Sequence, residues 1–112
     1  MGKGDFLGEF EQVVLLAVAR LRGEGYGVSV RREIQRRTGR DVSVGAVYAT
    51  LARLEDKGFV ASREGEPSPH RGGRARRHFR LTTAGARALE ATRGMLERMW
   101  DGVHLPADGA SS

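Results

Sequence analysis

The sequence predicts a mainly α domain with one small β-hairpin, and three observations carry that prediction. Apolar residues recur at helical spacing in four separate stretches, most of them bounded by a capping residue or a glycine. Two strand-like runs, 59–64 and 76–81, occur once, between the third and fourth of those stretches. The stretch from Val42 to Gly58 has an outer face of Gly and Ala, where a surface helix ordinarily carries Glu and Lys. Together they describe a winged helix-turn-helix followed by a C-terminal helix suited to dimerisation.

Composition narrows the function classes. At 112 residues the chain is one small domain. Its net charge of +5 favours an anionic partner. Lys3 and Lys57 are its only lysines, so the positive charge is almost all arginine. Arginine makes planar, bidentate contacts to phosphate and guanine that lysine cannot. The absence of Cys excludes a disulfide framework and a Cys-based zinc site. No apolar run approaches the ~20 residues of a membrane span, no signal peptide is visible, and Phe6 stands where a myristoylation motif needs Ser or Thr. A soluble cytoplasmic protein without membrane contact is expected.

After a short lead, Gly2 to Asp5, the first helix is expected over Gly8 to Arg22. Its segment Val13 to Ala19 is apolar nearly all round, which calls for burial on more than one side. In so small a domain another subunit can supply the second side. Gly23 to Gly27 holds three glycines in five residues and reads as a turn. A second helix follows over Val28 to Thr38, with Val30 and Ile34 inward, Arg36 and Arg37 in its last turn, and Gly39 as its stop.

The third helix begins at Ser43, a good N-cap, and closes at Gly58. Val44, Val47, Leu51 and Leu54 recur at intervals of three, four and three, which makes one buried stripe. Gly45, Ala46, Ala49, Ala52 and Arg53 then point outward, with Tyr48 and Thr50 at the boundary. Small outward residues let a large partner approach closely, which suits a DNA recognition helix; Ala is also simply the best helix former. Ala49 and Ala52 can touch only thymine methyls, leaving Ser43, Thr50 and Arg53 for polar contacts. Much of the specificity is therefore expected from DNA shape.

In the second strand-like run Phe79 and Leu81 share one face, and Arg76, His78 and Arg80 the other. The intervening loop holds Pro67, Pro69, Gly72 and Gly73, and no acid occurs from Pro67 through Gly85. Arg71, Arg74, Arg76 and Arg77 make this hairpin a basic wing suited to phosphate contact. A charge run is otherwise just a solvated face.

Thr82 or Thr83 caps a last helix extending to about Gly102. Leu89, Thr92, Leu96, Met99 and Val103 follow a short heptad seam, too brief for an independent coiled coil but enough to pair subunits if the first helix helps. The resulting organisation is a DNA-binding domain over 1–82, a dimerisation helix over 83–104 and a disordered tail over 105–112. Two roles are open to Trp100. It can line a small-molecule effector site with Met95 and Met99, whose thioethers adapt to aromatics. It can instead pack on the partner's first helix near Phe6, Leu7 or Phe10, the commoner use of a large aromatic.

Four pieces in this order resemble the PadR family of bacterial transcriptional regulators, in its small subclass with a single C-terminal helix. They are Leu7 to Gln12, Tyr26-Gly27, Ser43 to Gly58, and Gly72 to Thr82 running on to Gly85. The resemblance covers Leu7 to about Gly102. It implies a winged helix-turn-helix, a homodimer held by the first and last helices (here with Phe10, Val14, Leu89, Thr92, Leu96, Met99 and Val103), and repression by operator binding. It also implies that Tyr48, Arg74, Arg76 and Arg77 lie at the DNA.

The expected function is a repressor bound as a homodimer to a palindromic operator in double-stranded DNA. The alternative is a winged-helix protein-interaction module, which leaves the acid-free arginine wing unexplained. An enzyme is not expected. His70, His78 and His104 lack metal-ligand spacing, and no nucleophile set, P-loop or dinucleotide fingerprint is present, so no metal or cofactor is expected either.

Overall fold

A computed structural model describes residues 6–67 and 75–107. The expectations for Arg71 and Arg74 and for the tail at 108–112 fall outside the described residues. The element order is α1 (Glu9–Arg20), α2 (Gly27–Thr38), α3 (Val44–Asp56), β1 (Val60–Pro67), β2 (Ala75–Leu81) and α4 (Thr83–Trp100). This is the winged helix-turn-helix with an added C-terminal helix.

Local chemistry sets most of the boundaries. The Gly8 N–H donates to Glu11 Oε1 (3.0 Å) and starts α1. That helix stops at Arg20, two residues before the expected end, because Arg22 and Gly23 both take positive φ. The Ala46 N–H donates to the Ser43 hydroxyl (3.0 Å), which caps α3. Beyond α3, Gly58 turns left-handed (φ 80°) and lets the Phe59 N–H reach back to the Leu54 carbonyl (2.9 Å). Thr82 serves both neighbours: its hydroxyl accepts from the Gly85 N–H at the start of α4 and donates to the Gly58 carbonyl at the end of α3.

Three helices pack around one core, with α4 lying against α1. The core is built from Val14, Leu15 and Val18 of α1, Val30 and Ile34 of α2, and Val47, Leu51 and Leu54 of α3, closed by Val60 and Phe79 of the hairpin. Each fully buried Val or Leu contributes about 1.5–3 kcal/mol. β1 and β2 pair antiparallel with Ser62 opposite Phe79 and a register shift between Glu64 and Pro67. The expected turn at Gly23 to Gly27 does more than turn: the Phe79 N–H donates to the Gly25 carbonyl (2.8 Å), a single bridge on the outer edge of β2. Gly85 meets the hairpin at close range, since a Cβ there would fall 2.2 Å from the Phe59 carbonyl oxygen.

Three residues expected at a subunit interface are buried within this chain. Val14 is fully buried. Thr92 is 1% exposed, its hydroxyl accepting from the Leu7 N–H (3.0 Å) across 85 residues of sequence. Leu7 is itself buried, so it is not free to meet a partner's Trp100. A heptad seam presumes that every seam position faces outward; here Thr92 turns inward to the Leu7 N–H, and Val14 belongs to the helical core.

Candidate nucleic-acid interface

The outer face of α3 is as bare as its sequence implies. Gly45, Ala46, Ala49, Ala52 and Arg53 are all exposed. Thr50 is the correction. It is 2% exposed and lies on the flank of the buried stripe, where its hydroxyl accepts from Arg53 Nη2 (3.2 Å). It therefore supplies no group to a partner and instead steadies Arg53. Ser43 stays exposed, with its oxygen engaged as the cap.

Tyr48 stands half-exposed at the edge of this face, over the first residue of α2. A Cβ on Gly27 would fall 2.1 Å from Tyr48 Cζ, so only glycine leaves the ring that place. The neighbouring Tyr26 is pinned by its own N–H, which donates to Ser29 Oγ (2.9 Å), and by Ser29 Oγ donating back to its carbonyl (3.1 Å). The wing reaches the same spot: Arg76 Cζ lies 4.2 Å from the centre of the Tyr26 ring, and His78 meets that ring edge-on at 5.8 Å. Arg77 is exposed, and its Nη1 donates to Ser62 Oγ (2.8 Å), which donates in turn to Glu55 of α3 (2.6 Å).

Ion pairs engage several of the cations. Arg31 pairs with Asp41, Arg40 with Glu9, Lys57 with Glu11 and Arg63 with Glu24. Arg20 and Arg36 both bind Glu33, a buried carboxylate. Burial pushes the Glu33 carboxyl upward, but the two guanidiniums outweigh it and hold the group below the ordinary glutamate range. Glu11 is likewise lowered: burial raises it, while the Lys57 hydrogen bond, the Gly8 N–H and the charges of Lys57 and Arg53 prevail. Among the described residues Arg53 of α3 and Arg76, Arg77 and Arg80 of the wing carry no carboxylate partner, and neither do Arg22, Arg32, Arg37, Arg87 and Arg98 elsewhere.

On the far side, a groove of about 440 Å³ runs between α1 and α4, lined by Leu16, Leu89, Leu96 and Trp100 among others. Leu16 is 50% exposed, Met99 69% and Trp100 58%, with Leu96, Val103 and Leu105 also open. Contiguous apolar exposure of this kind marks an interaction surface. Leu16 was legible only as part of an all-round apolar run. Trp100 lines this groove without Met95 or Met99, and a smaller hollow brings Trp100 and Met99 together with Leu96, Val103 and Leu105. Phe10 is partly buried, with Arg40 stacked 5.2 Å from its ring centre. Among the described residues no three acidic, Cys or His side chains could hold a metal, and no helix is long and apolar enough to cross a membrane.

Known proteins share this architecture. Residues 15–91 match the transcriptional regulator PadR-like family. The chain is 40% identical over 76 residues to the transcriptional regulator Rv3488 of Mycobacterium tuberculosis, a stretch spanning 68% of this chain and 66% of that relative, just under two thirds of its length. A PadR family transcriptional regulator from Eggerthella lenta superposes with a TM-score of 0.66 at 25% identity, covering 84% of this chain and 81% of that one. Bacillus subtilis PadR, solved in complex with operator DNA, superposes with a TM-score of 0.64 at 18% identity, covering 93% of this chain and 52% of that one. With the family matched across α1 to α4, the chain belongs to the PadR-like family of transcriptional regulators.

Proposed function

We propose that this protein is a DNA-binding repressor that acts as a homodimer on a palindromic operator. One observation carries the reading: the Gly/Ala face of α3, edged by Tyr48, lies beside a hairpin whose second strand holds Arg76, Arg77 and Arg80, none with a carboxylate partner among the described residues. Small side chains let α3 sink into a major groove, and the wing then meets the flanking backbone. The operator complex of Bacillus subtilis PadR supports this use of the fold.

A second copy covers the exposed apolar face of α1 and α4, placing two copies of α3 on one side of the dimer. Trp100 packs against that second copy in this reading. A small planar effector would be a competing occupant of the same groove, and by tilting the helices it would change the spacing of the two α3 copies. Repression follows from occupying a promoter.

The test is selection of bound duplexes from a random-sequence library. Enrichment of an inverted repeat is expected, with half-sites about one helical turn apart. Enrichment of no sequence would overturn the reading in favour of a protein-interaction module. Titrating planar cationic dyes while following Trp100 fluorescence and operator binding together tests the effector role.

A further inference from the structure

Arg76 was expected at the DNA with its neighbours, yet its surroundings differ from those of Arg77. Arg77 is exposed, while Arg76 is half-buried with its guanidinium against the Tyr26 ring. Arg76 Nε is buried and has no hydrogen-bond partner among the described residues, so the ring face holds the group in place. A guanidinium within about 6 Å of an aromatic centre is attracted by the ring's negative face; here the distance is 4.2 Å.

The rest of the contact is built to keep that ring still. His78, two residues on along the same face of β2, meets Tyr26 at 77°. Gly65 of β1 makes room for His78, since a Cβ there would fall 2.6 Å from the imidazole Cε1. The Phe79 N–H ties the chain just before Tyr26 to β2. The residue after Tyr26 is Gly27, on which the Tyr48 ring of α3 rests. A continuous packed path therefore runs from the wing through Tyr26 and Gly27 to the recognition helix.

We propose that Arg76 is a positioning residue rather than a phosphate contact: by clamping Tyr26 it fixes the wing relative to Tyr48 and α3. The proposal rests on the DNA-binding reading above. Wing and α3 must meet DNA at the same time, and setting their separation during folding avoids paying that ordering cost at binding.

The experiment uses the full chain and the duplex recovered by selection. Tyr26→Phe keeps the ring and should bind like wild type. Tyr26→Leu and Arg76→Gln should each weaken binding by about three- to tenfold, the range a partly buried cation–π contact supports. The double variant should be no weaker than the worse single one. The slope of log K against log salt should stay at the wild-type value in Arg76→Gln, because no phosphate contact is lost. Footprinting should show wing protection weakened and α3 protection retained, which general destabilisation would not produce. A slope reduced by ~0.9 in Arg76→Gln, with Tyr26→Leu unaffected, would overturn the proposal.

A measurement without DNA keeps the two readings apart. In the free protein the Arg76 side-chain protons should be shifted upfield by the Tyr26 ring, in wild type and in Tyr26→Phe. Unshifted protons in a protein that still binds DNA sink the positioning role alone. Shifted protons in a protein that binds no duplex sink the DNA-binding reading, and the positioning role with it.

Discussion

Gly27 and Tyr48 touch so closely that a single added methyl group would overlap three carbons of the tyrosine ring, at 2.1 to 2.6 Å. The contact joins the first residue of α2 to the exposed edge of α3, and the Tyr48 ring is half open to solvent. Gly27→Ala is expected to leave the fold intact, because the ring can swing outward and alanine gains roughly 0.5–1 kcal/mol of helix preference over glycine. Operator affinity should fall, since Tyr48 no longer lies along α2. Thermal melting and operator titration of the same variant check the two halves.

Gly85 makes the opposite case. Its missing Cβ would meet the Phe59 carbonyl oxygen at 2.2 Å, and backbone cannot swing aside as a ring can. Gly85→Ala should destabilise the fold by more than about 2 kcal/mol, read as a drop in the urea midpoint. A stability change as small as that of Gly27→Ala would refute the distinction.

Glu33 supplies a pH dependence of known sign. Its folded-state pKa is lowered by Arg20 and Arg36 against the opposing effect of burial. A lowered carboxyl stabilises the fold fully above its unfolded value, about 4.3, and loses that contribution as pH falls through the folded value. The stability gap between wild type and Glu33→Gln should be constant above about pH 5.5 and narrow below about pH 4. Urea unfolding across that range measures it; a gap that widens in acid would contradict the sign.

The exposed α1–α4 face predicts a dimer with a separable protomer. Leu96 is open to solvent in the protomer, so Leu96→Glu costs little there. In a dimer the same carboxylate would be buried unpaired, which is expensive. Sedimentation should show the variant as a monomer that remains folded, with most operator affinity lost. Wild type sedimenting as a monomer at micromolar concentration would end the dimer reading.

Arg77 tests the wing electrostatics. It is exposed and has no carboxylate partner among the described residues. Arg77→Ala should weaken binding to all sequences about equally and lower the magnitude of the salt slope by ~0.9. Set beside an unchanged slope in Arg76→Gln, it separates a phosphate contact from a strut one residue away.

What the sequence determined by itself lies within a few residues of its cause. Ser43 caps α3, Gly58 ends it, and the spacing of Val47, Leu51 and Leu54 orients its bare face outward, because capping and periodicity act within one or two turns. The all-round apolar run in α1 likewise takes in Leu16, which stays half-exposed. Tertiary structure alone decided the rest. Thr92 looks like a seam residue until the Leu7 N–H arrives from 85 residues away and makes it a buried acceptor. Thr50 sits at the edge of its stripe, and only the packing of the core shows on which side of that edge it falls. Arg76 and Arg77 are adjacent and chemically identical, but strand alternation sends one toward Tyr26 and the other toward Ser62. Residue type sets what a side chain can bind; which partner it meets depends on contacts between distant segments, which exist only once the chain has folded.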